Sequence, residues 1–191
     1  MNKMYSENLS FVIDRVCVGQ TFTIRYGDGL CEALVLDESK EGKIVLLLLQ
    51  IKRKFDEYKN IWKQSGIRKW LNSNEFLKEF DESFLKHVKE TEIHTEDYVT
   101  KDKFWLLSHE EVGFKDTYKW FVPNKNTKRF DYFDGSDEKR RRLINDESCF
   151  WWLRSARSSY SSYVGYVGDV GSVGSSDAGY YNAVLPVCLI N

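Results

Sequence analysis

The residues with reactive side chains are scattered along this chain, and their spacing does not support catalysis or metal binding. The histidines are His87, His94 and His109, and no spacing between them matches a known metal-binding motif. We expect them on the surface or on helix faces. Gly27-Asp28-Gly29 is typical of a turn, not of a phosphate-binding loop. The sequence therefore predicts no catalytic residue, no metal site and no cofactor, and the chain is not expected to be an enzyme.

The four cysteines are Cys17, Cys31, Cys149 and Cys188, and they form no CxxC pair. Each stands among apolar neighbours, which predicts buried free thiols. A disulfide scaffold is not expected in a domain of this size without a signal peptide.

The most distinctive chemistry lies in a tyrosine-rich segment over residues 156–182. The segment consists almost entirely of Ser, Tyr, Gly, Val, Asp and Ala, whereas the preceding chain is rich in Lys and Glu. Gly and Ser are typical of linkers, but a linker does not need five tyrosines. The apolar run 183–190 that follows is typical of a core strand, so the segment is held at both ends. Tyr, Ser, Gly, Asn and Asp are the usual residues of binding loops, and the composition favours a binding surface.

Length and charge exclude several classes of protein. A chain of 191 residues fits a single domain, and its net charge of −1 provides no general attraction to nucleic acid or to anionic membranes. The basic run 139–142 is flanked by acids, which favours a solvated helix face over a nucleic-acid patch. No stretch is long and apolar enough for a membrane span, and the N-terminus lacks a signal-peptide core. We therefore expect a cytoplasmic or phage-borne protein, not a classically secreted one.

Hydrophobic periodicity predicts strands first and helices second. Residues 20–26 and 30–37 alternate around a glycine turn, and the apolar run 44–51 completes a three-stranded meander. Three-to-four spacing over residues 61–71 and 76–88 predicts two consecutive helices, with Asn72 or Ser73 capping the second.

The second half of the chain is predicted to be less regular. Residues 103–107 read as a short buried strand, and residues 108–111 as a polar turn that starts a short helix. Residues 113–148 look irregular, and their aromatic side chains must attach this long loop to the body. A strand returns at 150–153. The Val-Gly triplets over residues 164–174 predict two short strands with a turn.

Four motifs in a fixed order point to a family. They are Trp62…Ser65-Gly66-Ile67-Arg68-Lys69-Trp70-Leu71-Asn72, Phe104-Trp105-Leu106-Leu107-Ser108, Trp151-Trp152-Leu153-Arg154-Ser155 and Val184-Leu185-Pro186-Val187. This order resembles a large family of bacterial domains with the patterns W..S.IR.WLN, FLLS, WWLRS and a closing V.P strand. Those domains resemble the formylglycine-generating-enzyme branch of the C-type lectin fold. The resemblance covers residues 18–191.

The resemblance implies a binding role for the C-terminal segment. The same fold is used by the variable proteins of diversity-generating retroelements, in which adenine-directed mutagenesis rewrites a C-terminal segment. Randomising the adenines of an AAY codon can give Asn, Ser, Tyr, Gly, Asp, Val, Ala and Arg, but never Lys, Glu, Gln, Met or Trp. Those five residue types are absent between residues 156 and 182.

Two activities known on this fold are not carried over to the chain. Calcium-dependent sugar binding needs a Glu-Pro-Asn or Gln-Pro-Asp triplet, and Val122-Pro123-Asn124 lacks the acidic or amide first residue. Formylglycine-generating enzymes use a reactive cysteine pair, but Cys149 and Cys188 lie in apolar strand patterns. In the strand that contains Trp151 and Trp152, Arg154 is expected to bind loop carbonyls or an acid beneath the binding loop.

We therefore predict one α+β domain over residues 1–191, with a C-type-lectin-like fold of short twisted antiparallel strands, two main helices and long irregular loops. The scaffold would be residues 18–155, the variable ligand-binding segment 156–185 and the closing strand 183–190. The partner would be an unidentified protein or cell-surface ligand. Val164, Val167, Val170, Val173 and Ala178 would form the framework. The predicted contact residues are Arg157, Ser158, Tyr160, Ser162, Tyr163, Tyr166, Asp169, Ser172, Asp177, Tyr180, Tyr181 and Asn182.

Two alternatives belong to other classes of function. One is a structural or interaction module of a bacterial or phage assembly, in which the C-terminal segment is not varied and packs against a fixed neighbour. The other is an enzyme of unknown type, which would need a pocket with a perturbed titratable group.

Overall fold

A computed structural model describes residues 9–95, 97–124, 127–144 and 147–191 of the chain. Short strands dominate, and every helix in these ranges is short. In chain order, the elements are α1 (Leu9–Arg15), β1 (Thr21–Tyr26), β2 (Gly29–Ser39), β3 (Gly42–Leu47), β4 (Lys52–Lys54), α2 (Gly66–Leu71), α3 (Asn74–Leu77), α4 (Glu82–Leu85), β5 (Val88–Lys89), β6 (Thr91–His94), β7 (Val99–Asp102), α5 (Asp137–Arg140), β8 (Leu143–Ile144), β9 (Glu147–Ser148), β10 (Trp151–Ala156), β11 (Tyr163–Val167), β12 (Val173–Asp177), β13 (Tyr181–Ala183) and β14 (Val187–Ile190).

Two five-stranded sheets organise these elements. The first sheet has the order β1-β2-β3-β14-β5 and is antiparallel throughout. The second has the order β12-β11-β10-β13-β4, in which only β10 and β13 run parallel. β6 pairs with β7, and β8 pairs with β9, in two separate hairpins. The fold is thus mixed α and β and rich in sheet, and the predicted opening meander of β1, β2 and β3 is confirmed.

The predicted helices differ from the structure. The first predicted helix is reduced to a 3-10 turn at Trp62–Gln64 followed by α2. The second is divided into the single turns α3 and α4, and its expected last residue, Val88, begins strand β5. The prediction of two main helices is therefore wrong. The predicted cap of the second helix is confirmed at Ser73, whose hydroxyl accepts a hydrogen bond from the Phe76 amide at 3.4 Å.

Two further predicted elements are also shorter than expected. Residues 103–107 contain only an isolated bridge from Trp105 to Val187, although residues 104–107 are buried. The predicted closing strand 183–190 is buried throughout, but it divides into the end of β13 and the separate strand β14. Residues 108–111 form a turn in which the Ser108 hydroxyl accepts from the Glu111 amide, and they do not start a helix.

The large apolar side chains form one core, in which Trp62, Trp105, Trp151 and Trp152 are fully buried. Three of these indole N–H groups donate to an acceptor, and the Trp152 N–H reaches the Arg53 carbonyl at 2.9 Å. Because a buried donor without a partner is costly, these bonds fix each ring in one orientation.

The motifs that carry the resemblance also hold the core together. Asn72 donates to the Phe104 carbonyl at 2.9 Å and accepts from the Lys103 amide at 2.8 Å. Arg68 pairs with the buried carboxylate of Asp102 at 2.7 Å. These contacts attach α2 to the end of β7 and to the residues that follow it.

Two expectations about single residues need correction. Cys31, Cys149 and Cys188 are buried free thiols as predicted, but Cys17 is exposed. His109 is buried and does not lie on the surface.

The basic run 139–142 is not a solvated helix face, because Arg140 and Arg142 are buried. Arg140 donates to the carbonyls of Gly171 and Gly135, which compensates its desolvation. No helix in the described ranges is long and apolar enough to cross a membrane.

Candidate ligand-binding surface

A buried ion pair lies under the start of the C-terminal segment. Arg154 of β10 donates to both carboxylate oxygens of Glu111, with the Nη2 to Oε1 distance 2.8 Å, and to the Leu106 carbonyl at 2.7 Å. Its backbone amide donates to the Leu107 carbonyl. The prediction that Arg154 binds carbonyls or an acid is confirmed. Both terminal nitrogens of the Arg154 guanidinium are paired with Glu111, and breaking a buried charge pair is costly, so these contacts hold β10 in position.

Asn60 shapes the loop that follows β10. Its side-chain amide lies within hydrogen-bond distance of three loop carbonyls, those of Arg157 at 3.2 Å, Tyr160 at 2.9 Å and Tyr163 at 3.1 Å. Its backbone amide donates to the Ser161 carbonyl. These contacts attach the loop over residues 157–163 to Asn60, which is itself a buried residue of the scaffold.

Two tyrosines of the loop present their rings to solvent. Tyr160 and Tyr163 stack with their ring centroids 5.2 Å apart, and they are 57% and 38% exposed. Stacking limits the freedom of both rings, which lowers the entropy that a partner would have to remove on binding. Ser162, between them, is half-buried and gives its carbonyl to the Ala178 amide at 2.8 Å.

A second pair of exposed aromatic rings comes from the scaffold. Tyr118 and Trp120 stack at 5.7 Å and are 77% and 36% exposed, and the Arg157 guanidinium lies 4.9 Å from the Trp120 ring centroid. Ser158 donates through its amide to the Trp120 carbonyl and through its hydroxyl to the Lys119 carbonyl. The C-terminal loop and the scaffold turn are therefore joined side by side. We call the six residues Tyr118, Trp120, Arg157, Ser158, Tyr160 and Tyr163 the aromatic face.

The sequence reasoning missed Tyr118 and Trp120. It assigned every aromatic residue of 113–148 to anchoring the loop, and Phe121 and Phe133 are indeed buried. Composition gives no signal that separates these aromatic residues, because exposed and buried rings occur within the same few positions. The exposure of Tyr118 and Trp120 follows from the backbone turn at the residue between them. Lys119 has a φ of 53°, a left-handed conformation that costs energy in a residue with a side chain.

The β11–β12 hairpin extends the aromatic face toward the C-terminal tyrosines. Tyr163 stands opposite Asp177 in the register, and the Tyr180 amide donates to the Asp177 carbonyl to close a turn. Tyr180 and Tyr181 are 64% and 65% exposed. The Lys54 ammonium lies 5.8 Å from the Tyr181 ring centroid.

Within the tyrosine-rich segment 156–182, most of the predicted framework residues are buried. Val164, Val167, Val173 and Ala178 are at most 8% exposed. Val170 is 64% exposed at the hairpin turn, so its assignment to the framework is wrong. The turn places its side chain beyond the ends of both strands, where no second layer covers it.

The structure divides the remaining predicted contact residues into two groups. Tyr166 is half-buried, with its ring 5.5 Å from that of Phe150 and against Gly174 of the neighbouring strand, so it packs more than the other tyrosines. Asn182 is half-buried in β13, where it pairs with Arg53. Both residues serve mainly to hold the sheet.

Asp169 and Ser172 are exposed, but at the opposite end of the hairpin from Tyr163. At about 3.4 Å per residue, the four steps from Tyr163 to Val167 separate the two ends by about 14 Å. The predicted contact residues therefore do not form one continuous patch.

A cavity of about 750 Å³ opens beside the aromatic face. Its wall includes Asn60, Lys63, Tyr98, Asn124 and Arg157, together with the loop 158–161. Most of these groups are polar, and the cavity lies between the C-terminal segment and the scaffold. A partner that contacts the aromatic face could therefore place a side chain into it. We call this cavity the groove.

One arrangement near the groove resembles a catalytic site in composition but not in geometry. His109 Nδ1 lies 3.0 Å from the Ser155 hydroxyl and 3.2 Å from a Glu110 carboxylate oxygen. A serine–histidine–acid triad needs the serine and the acid on different ring nitrogens, and here both contact the same one. Burial lowers the pKa of His109, and Ser155 also accepts from the His109 amide. This cluster fixes β10 to the turn at 108–111.

No group of three or more His, Cys, Asp or Glu side chains in the described residues is arranged to hold a metal ion. Burial raises the pKa of Cys31 to about 12 and raises that of Cys149 and Cys188 as well. A reactive thiol needs the opposite shift, so these three cysteines have the properties of core residues.

Comparison with protein families gives one match. Residues 34–191 match the family described as a domain of unknown function, DUF6273. The chain belongs to this family. No curated protein and no solved structure matches it.

The matched range of the DUF6273 domain contains most of the first sheet, the whole second sheet and every residue of the aromatic face. Of the described elements, α1, β1 and the beginning of β2 precede it. The candidate surface and the scaffold that holds it are therefore parts of one family domain.

Proposed function

We propose that this chain is a ligand-binding protein that recognises a protein or cell-surface partner through the aromatic face and the neighbouring Tyr180–Tyr181 pair. The observation that carries the proposal is the segregation of side chains within one segment. Four tyrosines of residues 156–182 are exposed, whereas three valines of the same segment are at most 8% exposed. Exposed Tyr, Trp and Arg side chains on a fixed backbone are the usual composition of energetic anchor residues in protein interfaces.

We further propose that the segment is diversified by a retroelement and that the domain has a C-type-lectin-like fold. Two small sheets that are antiparallel except at the β10–β13 pair, a closing strand paired with the opening meander, and long irregular loops support this fold. The anchoring of the loop by Asn60 supports diversification, because its side chain binds backbone carbonyls and is indifferent to the loop side chains. Exposed side chains can then change without altering the backbone.

The structure limits which positions tolerate change. A Cβ atom on Gly171 would collide with the Asp137 carbonyl oxygen, and the residue has a φ of 89°. A Cβ atom on Gly165 would lie 3.1 Å from the Phe121 ring. Diversification would therefore be confined to part of the proposed segment 156–185, and these two glycines would be constant.

A pair of matched libraries tests the proposal. One library randomises the exposed residues Tyr160, Tyr163, Tyr180 and Tyr181. The other randomises the buried residues Val164, Val167, Val173 and Ala178. We expect most members of the first library to unfold cooperatively near the wild-type temperature, and few members of the second. We also expect selection from the first library to yield binders to unrelated target proteins. Equal loss of folding in both libraries, or no binders from the first, would contradict the proposal.

The alternative is a fixed structural or interaction module of a bacterial or phage assembly. The close contacts at Gly165 and Gly171 favour it, because they leave the β11–β12 hairpin little freedom to vary. Under this alternative the exposed tyrosines would contact a single constant neighbour, and the gene would show no local excess of substitutions.

A further inference from the structure

We infer that Arg157, at the edge of the groove, is the anchor for an acidic side chain of a protein partner. The inference rests on the proposed binding function and adds the chemistry of one contact, namely an Asp or Glu carboxylate entering the groove.

Arg157 has hydrogen-bond donors that the described part of the chain does not use. Its Nη1 contacts the Ser175 hydroxyl at 3.4 Å, a long and weak hydrogen bond, and its Nε is buried without an acceptor. No carboxylate of the described residues lies within 4.0 Å of its guanidinium. Arg154, three positions earlier, also has a buried Nε without an acceptor, but Glu111 neutralises its charge, and Arg157 has no such carboxylate among the described residues. A guanidinium carries five N–H donors in a fork that matches a carboxylate, so Arg157 is equipped for a partner it does not yet have.

The scaffold holds this guanidinium in place. Its central carbon lies 4.9 Å from the Trp120 ring centroid, and Tyr118 stacks on the same tryptophan. The Asp116 carboxylate accepts from the Trp120 and Phe121 amides at 2.9 and 2.7 Å, which fixes the turn that carries the rings. Because the side chain is oriented before binding, a carboxylate would pair with it at a low entropic cost.

The charges around the groove favour an anion. Lys63 is a second cation without a carboxylate partner among the described residues, and its ammonium lies 5.8 Å from the Tyr98 ring centroid. Among the described residues of the wall, Asp97 is the acidic one. Arg154 is neutralised by Glu111, so Arg157 and Lys63 are the two described cations of the wall without a carboxylate partner. A carboxylate that paired with Arg157 would have its desolvation offset there.

A partner protein fits this site better than a small acid. Tyr160 lines the groove, and Tyr163 stacks on it, with both rings exposed; a small carboxylate would not cover them. Arg157 and Tyr160 line the cavity, and Trp120 packs against Arg157; a cluster of Arg, Tyr and Trp is typical of the centre of a protein interface. A carboxylate attached to a peptide would contact these rings as well as Arg157, and would bind more tightly than acetate.

The test uses the full-length protein and three small probes. The probes are glutamate and glutamine, each blocked by an N-acetyl and a C-terminal N-methylamide group, and acetate. The blocked pair differs only in the side-chain carboxylate. Nuclear magnetic resonance would follow the Arg157 Nε–H, the Ser158 amide and the Trp120 indole during each titration. We expect saturable shifts with blocked glutamate, binding at least tenfold weaker with blocked glutamine, and binding at least tenfold weaker with acetate.

Two variants provide the controls. Arg157→Met keeps the aliphatic stem and removes the charge, so the shifts of Ser158 and Trp120 on adding blocked glutamate should be lost. Arg25→Met removes an exposed arginine of β1 and should leave the titration unchanged. Equal affinity for the two blocked amino acids would overturn the inference, and so would acetate binding as tightly as blocked glutamate.

The two proposals can fail separately. Blocked glutamate could bind at Arg157 even if the gene were invariant, in which case only diversification fails. If the segment were varied in the population but blocked glutamate caused no saturable shifts, only the carboxylate anchor would fail.

Discussion

Replacing Asn60 by alanine should loosen the loop of the aromatic face without unfolding the core. The Asn60 amide carries two hydrogens, so at most two of its contacts with the carbonyls of Arg157, Tyr160 and Tyr163 are full hydrogen bonds at one time. At about 1 kcal/mol net for each bond, the loss is about 2 kcal/mol. Since Asn60 borders the groove, water can reach the freed carbonyls and offset part of this loss. We expect the free energy of unfolding to fall by about 1–2 kcal/mol.

Two measurements check this prediction. For a chain of this size the loss corresponds to a decrease in Tm of about 2–8 °C, read by circular dichroism, with a matching decrease in the urea midpoint. Hydrogen exchange should become faster for the amides of Tyr163 and Arg157, because these amides close the loop. Asn74→Ala is the matched control, since the Asn74 side chain is exposed and makes no side-chain hydrogen bond in the described structure.

The reasoning would be refuted by one pattern of results. If Asn60→Ala changed neither stability nor exchange in the loop by more than Asn74→Ala does, the loop would be held by other contacts. The claim that Asn60 fixes its backbone would then be wrong.

Three other predictions follow from buried groups. Arg154→Met should lower the free energy of unfolding by about 3–5 kcal/mol in urea titrations, because it leaves the Glu111 carboxylate buried without its cation. With 5,5′-dithiobis(2-nitrobenzoate), one thiol of four should react quickly in the native protein, and Cys17→Ser should abolish that reaction. Burial lowers the pKa of His109 from its ordinary 6.5, so the unfolded state takes up the proton first. Stability should therefore fall as the pH drops below about 6.5, and His109→Gln should reduce this loss. Two fast thiols, or the same pH dependence in His109→Gln, would contradict the second and third predictions.

The strand pattern of this domain could be predicted from sequence because its signals are local. Alternation around Gly27 predicts the β1–β2 hairpin, and the Val-Gly triplets predict the β11–β12 pair. In both cases neighbouring segments pair through a short turn, so no distant part of the chain is needed to choose between structures.

The helices could not be predicted in the same way. Phe76, Phe80 and Phe84 recur every four residues, which is the spacing of a helix face. In the structure the chain turns twice instead, and Phe76 and Phe80 lie 5.3 and 5.1 Å from the ring of Phe104. Packing around a residue that follows β7 decides the local conformation, and tertiary contacts of this kind override helix propensity.

The charge run 139–142 shows a second limit. Clustered arginines usually indicate a solvated surface, but Arg140 bonds to the carbonyl of Gly171, which lies 31 residues further along the chain. Residue types cannot show which backbone carbonyl accepts a hydrogen bond, because every residue has one. Burial of such a residue therefore needs the fold to be known.

For the candidate surface, composition located the exposed tyrosines but not their neighbours. Tyr160 and Tyr163 belong to a segment whose restricted residue types indicate a separate role. Tyr118 and Trp120 lie in a charged loop beside aromatic residues that are buried, so only the structure shows that they join the aromatic face.

The central claim is that the C-terminal segment is a diversified binding surface on a constant scaffold. Sequencing the 3′ end of this gene from many cells of one population, together with the flanking DNA, tests it most directly. We expect substitutions confined to codons 156–185, concentrated at exposed positions such as Tyr163 and Tyr180 and absent at Gly165 and Gly171. They should fall at adenines of a nearby template copy, beside a gene for a reverse transcriptase. An invariant 3′ end, or substitutions spread evenly into the scaffold, would contradict the claim and favour a fixed structural module.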